Sequence, residues 1–155
     1  MMQIQIREAT AEDAQYIAAH LREEDRQEIL ALAECPPEAL VSASFFGSEA
    51  SFVGTLDGEP FLIFGAGRPS VFSDKAEVWA LGTRTCDKVP KAMVKYGRRI
   101  VLEFLEYFPE LENYCDARYT KSLRWLKLMG FTIGEPEPYG AKGNLFCKLS
   151  IKRED

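Results

Sequence analysis

Leu111–Phe131, reading LENYCDARYTKSLRWLKLMGF, is the stretch that decides the fold. Leu111 to Cys115 has the look of a short strand, followed by a polar break. Thr120 to Met129 then reads as an amphipathic helix, and Gly130-Phe131 as a stop that leads into a strand from Phe131 to Ile133. Upstream stand the strand Ala76 to Leu81 and the strongest helical pattern in the chain, Val89 to Phe108. In that helix Val89, Met93, Tyr96, Ile100 and Phe104 recur three or four apart, and Pro109 lies just beyond its end. Strand, helix and strand make a β-α-β unit, which predicts parallel strands and a right-handed crossover. Ligands of such units bind beyond the carboxyl end of the first strand, where the next helix aims its free N–H groups. Trp79 and Leu81 are thus expected on one strand and Tyr114 on its parallel neighbour. Trp125, Leu126 and Phe131 are expected in the core, because the helix before Gly-Phe shields the sheet only through them.

Toward the N-terminus, Gln3 to Arg7 alternates as a short strand, and Thr10 with Asp13 three residues later opens a helix running through Tyr16, Ile17, His20 and Leu21. A second helix is expected over Glu24 to Ala33, stopped by Cys35-Pro36-Pro37, and a third over Pro37 to Phe46, closed by Gly47. Ser51 to Leu56 and Pro60 to Gly67 are strands joined at Asp57-Gly58, the dipeptide of a tight hairpin. Leu145 to Ile151 is the last strand. With no internal repeat or linker, residues 1–155 read as a single domain. Helices in blocks around a meander of strands give an α+β fold, an α/β three-layer sandwich.

Composition agrees. The chain has 155 residues, 46% of them hydrophobic and 12% aromatic, enough for one core. No apolar run reaches the ~20 residues of a membrane span, and MMQIQIREAT lacks the basic-then-apolar pattern of a signal peptide, so a soluble cytoplasmic protein is expected. Four cysteines without a C-x-x-C pair, beside one histidine, argue for reduced thiols and against a structural metal site. A net charge of −5 disfavours general nucleic-acid binding. The charge is uneven: Lys88, Lys91, Lys95, Arg98 and Arg99 follow one another with no acid between them, whereas Glu8 to Glu38 holds nine acids, Glu8, Glu12, Asp13, Glu23, Glu24, Asp25, Glu28, Glu34 and Glu38. Both runs read most simply as solvated helix faces.

This order of elements resembles the GNAT acyltransferase fold, which implies a mixed, splayed central sheet with acyl-CoA at the carboxyl end of Ala76 to Leu81. In that family a turn of roughly Gln/Arg-x-x-Gly-x-Gly/Ala cradles the pyrophosphate. Here Thr83-Arg84-Thr85-Cys86-Asp87-Lys88-Val89-Pro90 contains no glycine after Gly82, although Arg84 stands in the first place. Asp87 is expected as the helix N-cap, where its carboxylate competes with a phosphate, and Lys88, Lys91 and Lys95 offer cations in compensation. An ordinary capped helix without ligand is an equal reading. The resemblance implies acetyl-CoA or another acyl-CoA as donor, held at Leu81, Thr83, Arg84, Lys88 and Lys91, with a backbone N–H near Leu81 to Thr83 for the tetrahedral oxyanion. The family's helical tyrosine, four residues before the glycine, is Leu126 here, so the usual acid for the departing thiolate is missing. Tyr119 or Cys115 is the nearest substitute, though Tyr119 reads equally as a loop aromatic packed on Trp125. Glu77 is the candidate general base by position, against its plainer reading as a solvated strand residue.

A second resemblance spans nearly the whole chain. Arg7–Asp13 (R-x-A-T-x-E-D), Leu21–Glu28, Trp79–Thr83 (WALGT), Leu111–Arg118, Arg124–Lys127, Gly130-Phe131 and Glu135–Gly140 (E-P-x-P-Y-G) are similar to GNAT-like proteins of tailed phages and prophages, grouped with an internal virion protein of T7-like podophages. Two expectations follow: an acyl-CoA-dependent N-acyltransferase acting on an amine, or a catalytically silent GNAT-fold phage protein that binds a virion or host partner. Trp79, Trp125 and Phe45-Phe46 leave room for a homodimer.

Overall fold

The computed structural model describes residues 2–154. Its elements are β1 (Ile4–Glu8), α1 (Ala11–Ala19), α2 (Glu23–Leu32), α3 (Pro37–Phe46), β2 (Ala50–Leu56), β3 (Glu59–Gly67) and β4 (Lys75–Gly82). A 3-10 turn over Arg84–Lys88 leads to α4 (Pro90–Tyr107), β5 (Glu110–Asp116), α5 (Thr120–Leu128), β6 (Thr132–Ile133), β7 (Glu137–Tyr139) and β8 (Asn144–Lys152). The strands form one sheet in the order β1-β2-β3-β4-β5-β8-β6, with β7 also on β8. β4 and β5 run parallel while their neighbours are antiparallel, so the sheet is mixed. One face packs Met93, Ile100, Phe104 and Phe131 of the α4–α5 side against Phe64, Val78 and Leu111. The other packs Ala14, Ile17, Ile29 and Val41 of α1–α3 against Ile63 and Leu81. The result is the three-layer α+β sandwich the sequence predicts. No single helix among the described residues is long and apolar enough to cross a membrane.

Local chemistry explains the boundaries. Thr10 and Asp13 form a reciprocal capping box at the start of α1. Asp57 and Gly58 both have positive φ, 51° and 87°, which is the backbone of a type I′ hairpin turn. Helix α5 ends in a Schellman arrangement: the Gly130 N–H donates to Lys127 O at 3.0 Å and the Phe131 N–H to Leu126 O at 3.1 Å. That geometry requires a left-handed residue, and Gly130 supplies it with φ 108°.

Three expectations need correction. Val89, not Asp87, caps α4, and no side chain bonds its first turn. Asp87 lies instead within the 3-10 turn, with its carboxylate on Lys121, Arg84 and Arg22. Tyr96 is half-buried, and the core position belongs to Gly97, where a β-carbon would stand 2.3 Å from Met129 Sδ, so the missing side chain is what lets α4 and α5 touch. Phe131 is buried as expected, but Trp125 and Leu126 are only half-buried, because α5 leans over a cavity rather than closing on the sheet. The strand β7 has no counterpart in the sequence reading.

The decisive feature is how briefly β4 and β5 pair. Their register covers Lys75↔Glu110, Ala76↔Leu111 and Glu77↔Glu112, and then the strands part. In urea denaturation, Phe104→Ala, which empties a fully buried site, is expected to cost ~3–5 kcal/mol. Leu126→Ala, at a cavity wall, should cost under ~2 kcal/mol. Equal losses would mean that α5 closes on the sheet after all.

Candidate active site in the strand splay

Where two central strands separate, their inner backbone groups lose their partners, and buried N–H and C=O groups rarely stay unpaired. Three side chains fill the role. Asn113, at the fork, donates from Nδ2 to the Val78 carbonyl at 2.6 Å and accepts the Tyr114 N–H on Oδ1 at 2.8 Å, bridging both strands. Further along, Asp25 Oδ2 accepts the Gly82 N–H of β4 at 2.7 Å, and Glu28 Oε2 accepts the Asp116 N–H of β5 at 3.0 Å. Asp25 and Glu28 are three residues apart on α2, so one helix face presents both carboxylates to the open ladder. Thr83 N–H bonds Phe61 O at 2.9 Å, which fixes the alternation along β4: odd residues pair with β3 and even ones face β5. By that alternation Ala80 turns its N–H and C=O into the gap.

The gap opens into a cavity of about 650 Å³ that reaches both faces of the sheet. On the α4–α5 side its wall is largely apolar, with Val101, Ser122, Trp125, Leu126 and Met129. On the α1–α3 side it is lined by Glu28, Glu77, Trp79, Tyr114 and Tyr139, with Arg22 and Asp25 at the end nearer the 3-10 turn. Tyr114 and Tyr139 are stacked at 3.7 Å, and Trp79 is held by an Nε1–H bond to Ser48 Oγ at 2.8 Å, so these rings are fixed in place.

Burial pushes the Glu28 carboxyl up to about 7; the Asp116 N–H opposes the rise, while the charges of Asp25 and Asp116 add to it. Burial likewise raises Asp25, against the attraction of Arg22 and the Gly82 N–H. The Cys115 thiol, which also lines the cavity, is raised by burial and by Glu28, so it stays protonated and is no nucleophile. Glu28 is therefore a carboxyl poised to exchange a proton near neutrality, in a cavity where a substrate has room.

The residues singled out from the sequence are only partly gathered here. Glu77 lies at the rim and Leu81 lines the cavity from its buried position. Thr83 is buried, with its N–H given to Phe61 O and its hydroxyl oxygen accepting the Thr85 N–H, so its backbone amide is not free for an oxyanion. Gly82 N–H is taken by Asp25, which leaves Ala80 as the gap-facing amide in place of the expected Leu81 to Thr83 donors. Arg84 is exposed and engaged by Glu24 at 2.8 Å and Asp87 at 3.0 Å. Lys88 and Lys91 are exposed at the start of α4 and do not line the cavity. Tyr119 does not line it either; it precedes α5 beneath the Arg118 guanidinium, 5.4 Å from its ring centroid, rather than on Trp125. Asp87 gathers Lys121 at 2.9 Å, Arg84 at 3.0 Å and Arg22 at 3.7 Å. Burial penalises its charge, but the bonds from Lys121 and Arg84 hold its carboxyl below the usual range.

Glu28 and Asp25 escaped the sequence reading because acids at this spacing look like a solvated face. Their only signal was that α2 also carries Ile29 four residues after Asp25 and Leu32 four residues after Glu28, so the helix must turn part of that face inward.

The geometry defines a class before any comparison: a mixed sheet splayed between its parallel strands around a ligand-sized cleft. Comparison with solved structures identifies it as the GNAT acetyltransferase fold. An N-acetyltransferase from Staphylococcus aureus Mu50 is similar at TM-score 0.71 and 18% identity, covering 97% of this chain and 98% of that one. A GNAT-family acetyltransferase from Bacillus anthracis is similar at TM-score 0.71 and 12% identity, over 98% and 96%. The yncA protein of Salmonella typhimurium, whose structure includes acetyl-CoA, is similar at TM-score 0.69 and 13% identity, over 98% and 95%. No protein-family model and no curated protein matches the chain.

Glu28 gives the site a pH signature. A carboxyl whose folded pKa, about 7, lies above the ordinary 4.5 binds its proton more tightly in the native state, so the contribution of Glu28 to stability is greatest at low pH and is lost as pH rises from 4.5 through 7. Glu28→Gln keeps an acceptor for Asp116 N–H and removes that loss. Denaturation should show the variant and wild type alike near pH 4, with the variant ~2–3 kcal/mol more stable near pH 8. A difference independent of pH would refute the assignment.

Proposed function

We propose that this protein is an acyl-CoA-dependent N-acyltransferase in which Glu28 takes the proton of the acceptor amine. The observation that carries the reading is the splay: a cavity of about 650 Å³ passes between β4 and β5, with a near-neutral carboxyl on one side and an apolar wall on the other. The donor's arm would lie along the gap-facing edge of β4, against the apolar α4–α5 wall, and the amine would enter from the α1–α3 side. Glu28 then accepts a proton from the attacking amine as the N–C bond forms. Ala80 N–H faces the carbonyl oxygen that becomes negative in the tetrahedral intermediate. Collapse breaks the C–S bond. With Leu126 where the family carries a tyrosine, the sulfur leaves as thiolate, a group of ordinary pKa ~8.5 that departs without an obligatory acid. Glu77, at the rim, is relieved of the base role that its position in the sequence suggested.

The donor's phosphates must be held differently from the family's glycine-rich turn. Gly82, Thr83, Thr85 and Cys86 all commit their N–H groups inside the protein. What remains is the uncapped first turn of α4 with Lys88 and Lys91 beside it, reinforced by Arg84 if Asp87 releases it. The same commitment of amides favours a second reading, a catalytically silent GNAT-fold protein that acts by binding; on the sequence resemblance alone it would be of phage or prophage origin, meeting a virion or host protein in the host cytoplasm or the virion, as a monomer or homodimer.

Calorimetric titration with acetyl-CoA separates the two. Wild type should bind, Asp87→Asn should bind more tightly because it removes a negative charge beside the phosphate site and frees Lys121, while Arg84 stays on Glu24 and Arg22 on Asp25, and Lys88→Glu with Lys91→Glu should abolish binding. Absence of heat with both wild type and Asp87→Asn would favour the silent reading. If transfer to an amine is measured, Glu28→Gln should lower kcat/KM by ~100-fold. An unchanged value would remove Glu28 from the chemistry.

A further inference from the structure

The α1–α3 chamber of the cleft has a composition that selects among amines. Its fixed surfaces are aromatic: Trp79 tied to Ser48, and Tyr114 stacked on Tyr139, whose other edge meets Phe146 at 5.7 Å. Its unpaired charges are negative. Glu77 lies at the rim beside Tyr139, and Glu28 lies inside, its carboxylate accepting the Asp116 N–H and having no cation beside it among the described residues. Among the described residues, Arg22 is the sole cation that lines the cavity, and it is already engaged by Asp25 at 3.3 Å and Asp87 at 3.7 Å.

From this we infer that the acceptor is a cationic amine on an apolar, preferably aromatic, skeleton that bears no carboxylate near its nitrogen. An ammonium entering the chamber meets Glu77 at the rim, the stacked Tyr139–Tyr114 pair along the way, and Glu28 at the end, each favourable to a cation. The carbon skeleton is sheltered by Trp79, Leu81 and Ile29. An amino acid carrying the same skeleton would bring a carboxylate into a chamber of like charge with no free cation to meet it, and an unpaired buried charge costs far more than a lost contact returns. Tyr139 is supplied by β7, whose loop is pinned to α2 by the Ala141 N–H to Leu32 O bond at 3.0 Å, so selectivity comes from a segment outside the part of the fold that would hold the donor.

The inference rests on the acyltransferase reading for why an amine should enter, but its test does not require acyl transfer. The whole chain is titrated calorimetrically with 2-phenylethylamine and with phenylalanine, first alone and then with acetyl-CoA present. The amine should bind at least ~10-fold more tightly than the amino acid, and Glu28→Gln and Tyr139→Ala should each weaken the amine by ~10-fold while leaving the thermal unfolding transition cooperative. Glu77→Gln, at the rim, provides a second probe that does not disturb the strand splay and should weaken the amine in the same direction. Equal binding of the two ligands, preference for the amino acid, or binding of acetyl-CoA with neither ligand bound would overturn the inference and leave the acyltransferase reading standing. Binding of the amine by a protein that ignores acetyl-CoA would support the chamber's selectivity and sink the acyltransferase reading instead.

Discussion

The structure depends on one local conflict: β4 and β5 must pair to hold the two halves of the sheet together, and must part to leave room for a ligand. They pair over three positions and then diverge. Every second residue past the fork turns its backbone donor and acceptor into a space that is neither water nor strand, and such groups are costly when left alone. Asn113 satisfies the first of them at the fork, and the two α2 carboxylates satisfy those at the far end. The position of α2 across the mouth of the cleft is thus set by the same hydrogen bonds that keep the cleft open.

Function emerges from the cost of that arrangement. Carboxylates brought in to serve as backbone acceptors are removed from water, and the one with no guanidinium of its own, Glu28, is raised to about 7. Asp25 has Arg22 beside it, and Arg22 in turn leans on Asp87, so this end of the cleft is tied into the 3-10 turn that leads into α4. The two ends of the site therefore differ. Near Glu28 there is space and a titratable group; near Asp87 the charges are mutually satisfied, and an anion must compete for them.

Much of this architecture is legible in the sequence where the determinants are local. The capping box at Thr10, the Asp57-Gly58 hairpin, the Gly130 stop and the β-α-β order each follow from a few adjacent residues, and each is found. The site is less legible because its chemistry is assembled by tertiary contact. Glu28 and Asp116 lie 88 residues apart, and nothing in either neighbourhood says that they meet. Asp87 has the composition of a helix cap, yet the chain folds one tighter turn there and gives its carboxylate to three cations. Tyr96 fits the helical period as well as Gly97 does, and only the approach of Met129 decides between them. Tyr139 belongs to a three-residue strand too short to carry a pattern.

The rest of the structure turns on α2's Glu28 as a half-buried acceptor for the β5 backbone, with a carboxyl that titrates near neutrality. Carbon-detected NMR of protein labelled at the glutamate side-chain carboxyl, with Glu28→Gln to assign the resonance, measures this directly. The account predicts a Glu28 midpoint at about 7. A midpoint near the ordinary 4.5 would show a carboxylate open to water, and with it a splay held open by something other than α2.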